Sequence, residues 1–281
     1  MSKTTVTKGK SKAPSTDVAV PDELTRQLLQ DSGAGFEEAG REAYAIPFLR
    51  VLQDLSPQVK RTMAGYVPGA KPGMIYNTVS RTAVESVRVI PCHFQQQFIE
   101  WLPRGKGAGK TGFVAAHPAN SPLISRAVRD GGANILPNGH LLSDTRNHFV
   151  LVIADDGTVT QALLSMSSTQ IKVSRRWMSQ MRAAVISVGA RIINAPAFAW
   201  SYRLTSEEES NDQGSWYSWV VSDRERVTDL ALYGQAKAFH EMLRAGGDAG
   251  KVNYSEMDPD QGHAGGAPSP EDLEDNEIPD A

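Results

Sequence analysis

At 281 residues with 40% hydrophobic content, the chain can bury one substantial core, and its only cysteine, Cys92, excludes an intramolecular disulfide framework and the usual thiolate-rich zinc sites. No apolar run approaches the roughly 18 residues of a membrane-spanning helix, and the polar, lysine-bearing start has no apolar segment after it, so neither an anchor nor a signal peptide is expected. The formal net charge of −3 averages two unlike parts: residues 1–254 hold all 29 Lys and Arg against 23 Asp and Glu, while residues 255–281 hold nine carboxylates and no Lys or Arg. A body of +6 tethered to a tail of −9 is the pattern of a polyanion-binding surface with an internal competitor.

Lys3, Lys8, Lys10 and Lys12 stand among Ser and Thr, so residues 1–20 read as a disordered basic arm. Pro21 opens a short helix that runs to Gln30, and the glycines from Gly33 to Gly40 end it. Residues 46–55 are apolar without a clean period and fit a buried strand or a short helix. A turn-rich connection from Gly65 to Gly73 leads into a short strand over 74–78. Residues 87–102 read as a strand broken by Pro91, and residues 112–116 answer it across a glycine-rich link, a first hairpin.

A second hairpin is signalled by residues 147–154 and 159–166 around Asp155-Asp156-Gly157, whose last two residues suit a type I′ turn. The pattern then predicts a helix over 168–190, and a third hairpin from 198–204 and 216–221 joined by an acidic loop over 207–214. The final helix is expected to start at Ser222, with Glu225 at the capping-box position, and to run to Arg244 before Gly246-Gly247. Residues 255–281 read as a disordered acidic tail. The expected fold is α+β: a curved antiparallel sheet built from hairpins, with about three packed helices, in one domain over residues 21–254.

The most specific internal feature is an acid-free stretch from Gly157 to Ser206. On its helix, Lys172, Arg175, Arg176, Ser179 and Arg182 project within roughly 120° of one another, with Met178, Met181, Val185 and Val188 opposite. Soluble helices usually intersperse carboxylates for compensation, so this face calls for phosphates, unless acids such as Glu207–Glu209 reach it from elsewhere. The link after Trp101 adds Arg104, Lys106 and Lys110 on a glycine-rich hairpin tip, suited to a single strand whose bases stack on the indole, or simply a solvated loop with Trp101 in the core. That link only superficially looks like a P-loop: Arg104 stands where the motif needs glycine, and the link joins strand to strand. Trp200, Tyr202, Trp216, Tyr217 and Trp219 crowd the third hairpin, where core packing is the first expectation.

Enzymatic chemistry finds little support. His93, His117, His140, His148 and His240 are scattered without ligand spacing, Cys92 and His93 point to opposite strand faces, and Asp155 and Asp156 belong to a turn. No enzyme, cofactor or metal is expected.

The segments Ile46-Pro-Phe-Leu-Arg-Val-Leu-Gln53 with Ser56-Pro57, Gly69-Ala-Lys-Pro-Gly-Met-Ile-Tyr-Asn-Thr78, Val89-Ile-Pro91, and Ser165-Met-Ser-Ser-Thr-Gln170 with Arg175-Arg-Trp177 resemble a family of bacteriophage single-stranded DNA-binding proteins. Within it the chain is most similar to the single-stranded DNA-binding RNA polymerase cofactors of N4-related phages. The resemblance spans roughly residues 44–245 and implies a core unlike a regular five-stranded OB barrel. It also implies action on exposed strands during replication or at melted promoters in an infected bacterial cytoplasm, with phage RNA polymerase or replication proteins as partners. The chain is compatible with a homo-oligomer. The competing expectation is an interaction protein acting through its acidic tail and basic face.

Overall fold

The structure, a computed structural model, describes residues 22–31, 34–35, 46–103, 112–130, 132–212, 214–245, 252 and 254. The basic arm and the acidic tail lie outside the described residues. The chain divides into two compact units, Met1–Ala43 and Tyr44–Ala281. The first contains helix α1 (Asp22–Gln30), where the sequence puts it directly after Pro21.

The second unit is built on an open antiparallel sheet. A small sheet comes first: β1 (Leu49–Val51), β2 (Ile75–Asn77) and β3 (Ala83–Val84). The long strand β4 (Val87–Trp101) follows, then β5 (Phe113–Pro118), β6 (Val128–Asp130), β7 (Ala133–Ile135), β8 (Leu141–Ile153) and β9 (Val159–Ser167). Helix α2 (Ile171–Arg182) leads into a separate two-stranded ribbon of β10 (Val185–Val188) and β11 (Arg191–Asn194). The long hairpin β12 (Trp200–Asn211) and β13 (Gly214–Arg226) and helix α3 (Leu230–Arg244) complete the unit. The main sheet runs β13-β12-β4-β8-β7-β6, with β5 on β4 and β9 on β8. The fold is thus α+β with a sheet that does not close into a barrel.

Strand alternation divides the core in two. Ile90, Cys92, Phe149, Leu151 and Leu163 face α3, where they meet Phe239 and Leu243. Their neighbours Val89, Val150, Ala162 and Leu164 face α2, where they meet Trp177 and Met181. Where β4 and β8 are covered on both sides, over residues 89–92 and 149–153, they read as continuous apolar runs instead of clean alternation. Pro91 does not break β4; it sits at a register shift between Pro91 and His93, where a missing N–H is tolerated. The last described residue, Tyr254, is fully buried, and its hydroxyl accepts a 2.6 Å hydrogen bond from Asn147 Nδ2.

Of the two alternatives open for residues 46–55 the strand forms, as β1, whose Leu49 pairs with Asn77 of β2. Several local expectations are corrected. The helix expected over 168–190 ends at Arg182; Val185 and Val188, β-branched, continue as exposed strand residues and leave the core. The acidic residues Glu207–Glu209 lie within β12, so the loop shrinks to the turn beyond Asn211. Ser222 does not cap a helix: β13 continues to Arg226, and α3 starts only at Leu230, capped by Asp229 Oδ1, which accepts from the Leu232 N–H at 2.8 Å. The Asp155-Asp156-Gly157 turn has positive φ only at Gly157 (+84°), so it is not type I′. Gly157 N donates to Ala154 O at 3.0 Å, closing the turn one residue earlier than expected.

Trp101 is 6% exposed, packed edge-on against Phe113 with ring centroids 5.9 Å apart, and belongs to the core beneath α3. Its indole is not offered to a nucleobase. Trp101→Ala is expected to destabilise the fold by about 3–5 kcal/mol in urea unfolding. An unchanged unfolding midpoint with weakened DNA binding would return the ring to a stacking role.

Candidate nucleic-acid interface

Helix α2 is amphipathic in the strict sense of spacing. Ile171, Ser174, Trp177 and Met181 are buried against the sheet, and Arg175, Arg176, Ser179, Gln180 and Arg182 are exposed. Trp177 packs edge-on against Tyr202 of β12 at 5.6 Å and lies flat on the His148 ring at 4.8 Å. His148 Nε2 and Ser174 Oγ share a 2.7 Å hydrogen bond, so one imidazole fixes both depth and rotation of the helix. Burial, reinforced by the charge of Arg146, pushes the His148 pKa down to about 3, and the ring is neutral at physiological pH.

The predicted cationic face is therefore present and turned outward. Lys172 is half-buried and meets Glu209 Oε2 at 3.3 Å, so a carboxylate from 207–209 does reach this face at one end. Among the described residues, Arg176 and Arg182 have no ion-pair partner.

The long hairpin extends this surface with residues that sequence reasoning missed. Trp200 stands directly opposite Arg226, so both lie on the side of the sheet that carries α2. Arg224 shares that side; its guanidinium lies over the half-buried Trp200 ring, 4.7 Å from the centroid. Burial raises the pKa of the neighbouring Tyr202 phenol, and the charge of Arg224 opposes that rise. Arg224 and Arg226 are both exposed. Reading Ser222–Glu225 as a helix cap hid them; a bulge opposite Tyr202, with Asp223 at φ +45°, turns Arg224 and Arg226 to the α2 side, where an unbroken strand period from Val221 would not put them.

The other predicted cations, Arg104, Lys106 and Lys110, lie outside the described residues. The root of their loop is a hairpin, as expected: β5 pairs with β4, and Leu102 N donates to Gly112 O at 2.7 Å. Beside that root the buried Glu100 carboxylate gathers two histidines that look unrelated in sequence, His117 Nε2 at 2.8 Å and His140 Nδ1 at 2.5 Å, together with Asn138 Nδ2 at 3.2 Å. Burial alone would raise the Glu100 pKa, but these hydrogen bonds overcome it and hold the group below its ordinary value. A cleft of about 20 Å³ lies between Arg50, Ser165, Ser167, Gln170 and Trp219, room for water and not for a base. Among the described residues no group of three His, Cys, Asp or Glu is arranged to hold a metal, and no helix is long and apolar enough to cross a membrane.

These features define an α+β protein with an open sheet that gathers arginines from a helix and a hairpin onto one face. The chain belongs to the Pam3 phage gp34-like protein family, which it matches over residues 13–249, and it is a bacteriophage protein. No curated protein and no solved structure matches it.

The neutral His148 gives the interface a pH dependence. Its folded pKa, about 3, lies below the ordinary 6.5, so in acid the unfolded chain binds a proton that the folded chain refuses. Stability from this site is complete above pH 6.5 and declines as pH falls toward 3. Chemical denaturation across that range should show the slope, and His148→Gln should flatten it; an identical slope in the variant would remove His148 as its source.

Proposed function

We propose that this protein binds single-stranded DNA without catalysis, laying the strand along the exposed face of α2 and across β12–β13. The observation that carries the reading is the convergence on one side of the sheet of Arg175, Arg176 and Arg182 with Arg224 and Arg226, beside the half-exposed Trp200 ring. Phosphates neutralise a like-charged row that a helix alone would disfavour, and an indole topped by a guanidinium is a surface on which an unpaired base can stack. The resemblance to phage single-stranded DNA-binding proteins supports the same reading. Fluorescence titration with labelled oligothymidine against duplex of equal length tests it: tight, salt-sensitive binding to the single strand is the expected result, and equal or absent binding overturns it.

Arg176→Ala with Arg182→Ala should weaken binding across unrelated sequences. Two lost phosphate contacts reduce the steepness of log K against log salt by about 1.4. Unfolding midpoints should hold, since both side chains are exposed.

Residues 255–281 are the proposed regulator and recruiter. Glu271, Asp272, Glu274, Asp275, Glu277 and Asp280 form a tethered polyanion whose effective concentration near the cationic face is on the order of millimolar. Deleting 255–281 is expected to tighten DNA binding at low salt, with the gain fading as salt rises. The same deletion should weaken capture of phage RNA polymerase or replication proteins. Equal dissociation constants at low salt would leave the tail a solubility device.

A further inference from the structure

The β10–β11 ribbon has no role in the surface described above. Apart from its root, where Ala195 N donates to Ala184 O at 2.9 Å, neither strand has substantial contact with anything but the other. Pairing sets Ile186 opposite Ile193 and Val188 opposite Arg191, with Val185 and Ile192 on the reverse side. Val185, Val188, Ile192 and Ile193 are 53%, 55%, 74% and 44% exposed. A bare two-stranded ribbon is marginal in water, and its outer edges are templates for further contact, so these four β-branched side chains require a cover.

The chain offers a complementary surface at its other end. β12 begins six residues after Asn194, so the ribbon is rooted where the long hairpin starts. The turn of that hairpin lies 12 residues further along, roughly 40 Å away. There Glu207, Glu208 and Asp212 are exposed. The Asp54 and Glu208 carboxylates both bear on the Tyr217 phenol. Close by, Gln53 Nε2 donates to Tyr217 O at 2.9 Å, and Leu55, two residues on, is 75% exposed. One end is apolar and basic, with Arg182 and Arg191 and no carboxylate from Gly157 to Ser206; the other is acidic, with Leu55 exposed beside it.

We propose that the ribbon of one copy docks on the acidic turn end of the long hairpin of a second copy. The two surfaces differ and stand at opposite ends of one hairpin, so the contact is heterologous and propagates head to tail instead of closing a two-fold dimer. Opposite charge sets the order of the copies, and burial of the ribbon side chains supplies the attraction.

Sedimentation velocity of the full chain without DNA tests this from micromolar to hundreds of micromolar. The wild type should grow in size with concentration. Arg191→Glu should weaken association on the order of tenfold, as should Glu207→Arg with Glu208→Arg. An equimolar mixture of these two variants should recover association, because each altered end then finds an opposite charge. Ile192→Ser with Ile193→Ser should abolish it while circular dichroism stays unchanged. A wild type that is monomeric throughout overturns the proposal. So does association that Ile192→Ser removes but the charge-swapped mixture does not recover, which would mean ribbon-to-ribbon pairing. A monomer whose oligothymidine affinity falls with Ile192→Ser would assign the ribbon to DNA and equally overturn it.

Discussion

Everything in the larger unit depends on the pairing of β4 with β8 and on its burial from both sides. The pair runs from Arg88 opposite Ile153 to Trp101 opposite Leu141, with one register shift between Pro91 and His93. Side chains alternate, so every second residue of each strand needs its own cover, and an open sheet cannot supply that by closing on itself. Helix α3 covers Ile90, Cys92, Phe149 and Leu151, and helix α2 covers Val89 and Val150. The fold is thereby a three-layer solution in which each helix has an outward face left over for other work. Only α2 spends that face on cations without acids of its own.

That arrangement has an energetic condition. Arginines gathered on one helix face repel, and the helix would shift or fray if its inner side were loosely held. Trp177 packed between Tyr202 and His148, and Ser174 hydrogen-bonded to the same histidine, hold the inner side at fixed depth. Keeping His148 neutral matters here, because a buried imidazolium would add one more positive charge beneath the row. The packing thus tolerates the repulsion that a bound polyanion would relieve.

The sequence disclosed element types better than their extents. Hairpins β4–β5 and β8–β9 were legible because turn residues and apolar runs agreed, and α2 was legible from its 3.6-residue spacing. Its end was not, since Val185 and Val188 keep the helical period while their branched side chains equally suit the exposed ribbon. Ser222 with Glu225 has the spacing of a capping box, yet Glu225 is a strand residue that meets Arg88 at 2.9 Å across the sheet. A local motif lost to a long-range pairing that no single segment reveals. The same error concealed Arg224 and Arg226, while the Glu100 cluster was invisible because His117 and His140 reach it only through the pairing of β4 with β5 and the turn before β8.

The long hairpin shows how charge is directed by alternation together with one bulge, where β13 carries an extra residue at Asp223–Arg224. On the side away from α2, Arg88 pairs with Glu225 and Arg203 with Asp223, at 2.9 and 3.0 Å. These cations are largely neutralised locally and add little to the field beyond the surface. Arg224, between those two acids in sequence, projects to the opposite side and lies on Trp200 instead of on a carboxylate. Arg226 projects with it. Interleaving acids and arginines along one strand therefore separates them by face: compensation on one side of the sheet, net positive charge on the side where α2 already presents Arg175, Arg176 and Arg182. A composition that looks balanced along the chain is polarised in space by the pleat of one strand and the bulge that resets it after Val221.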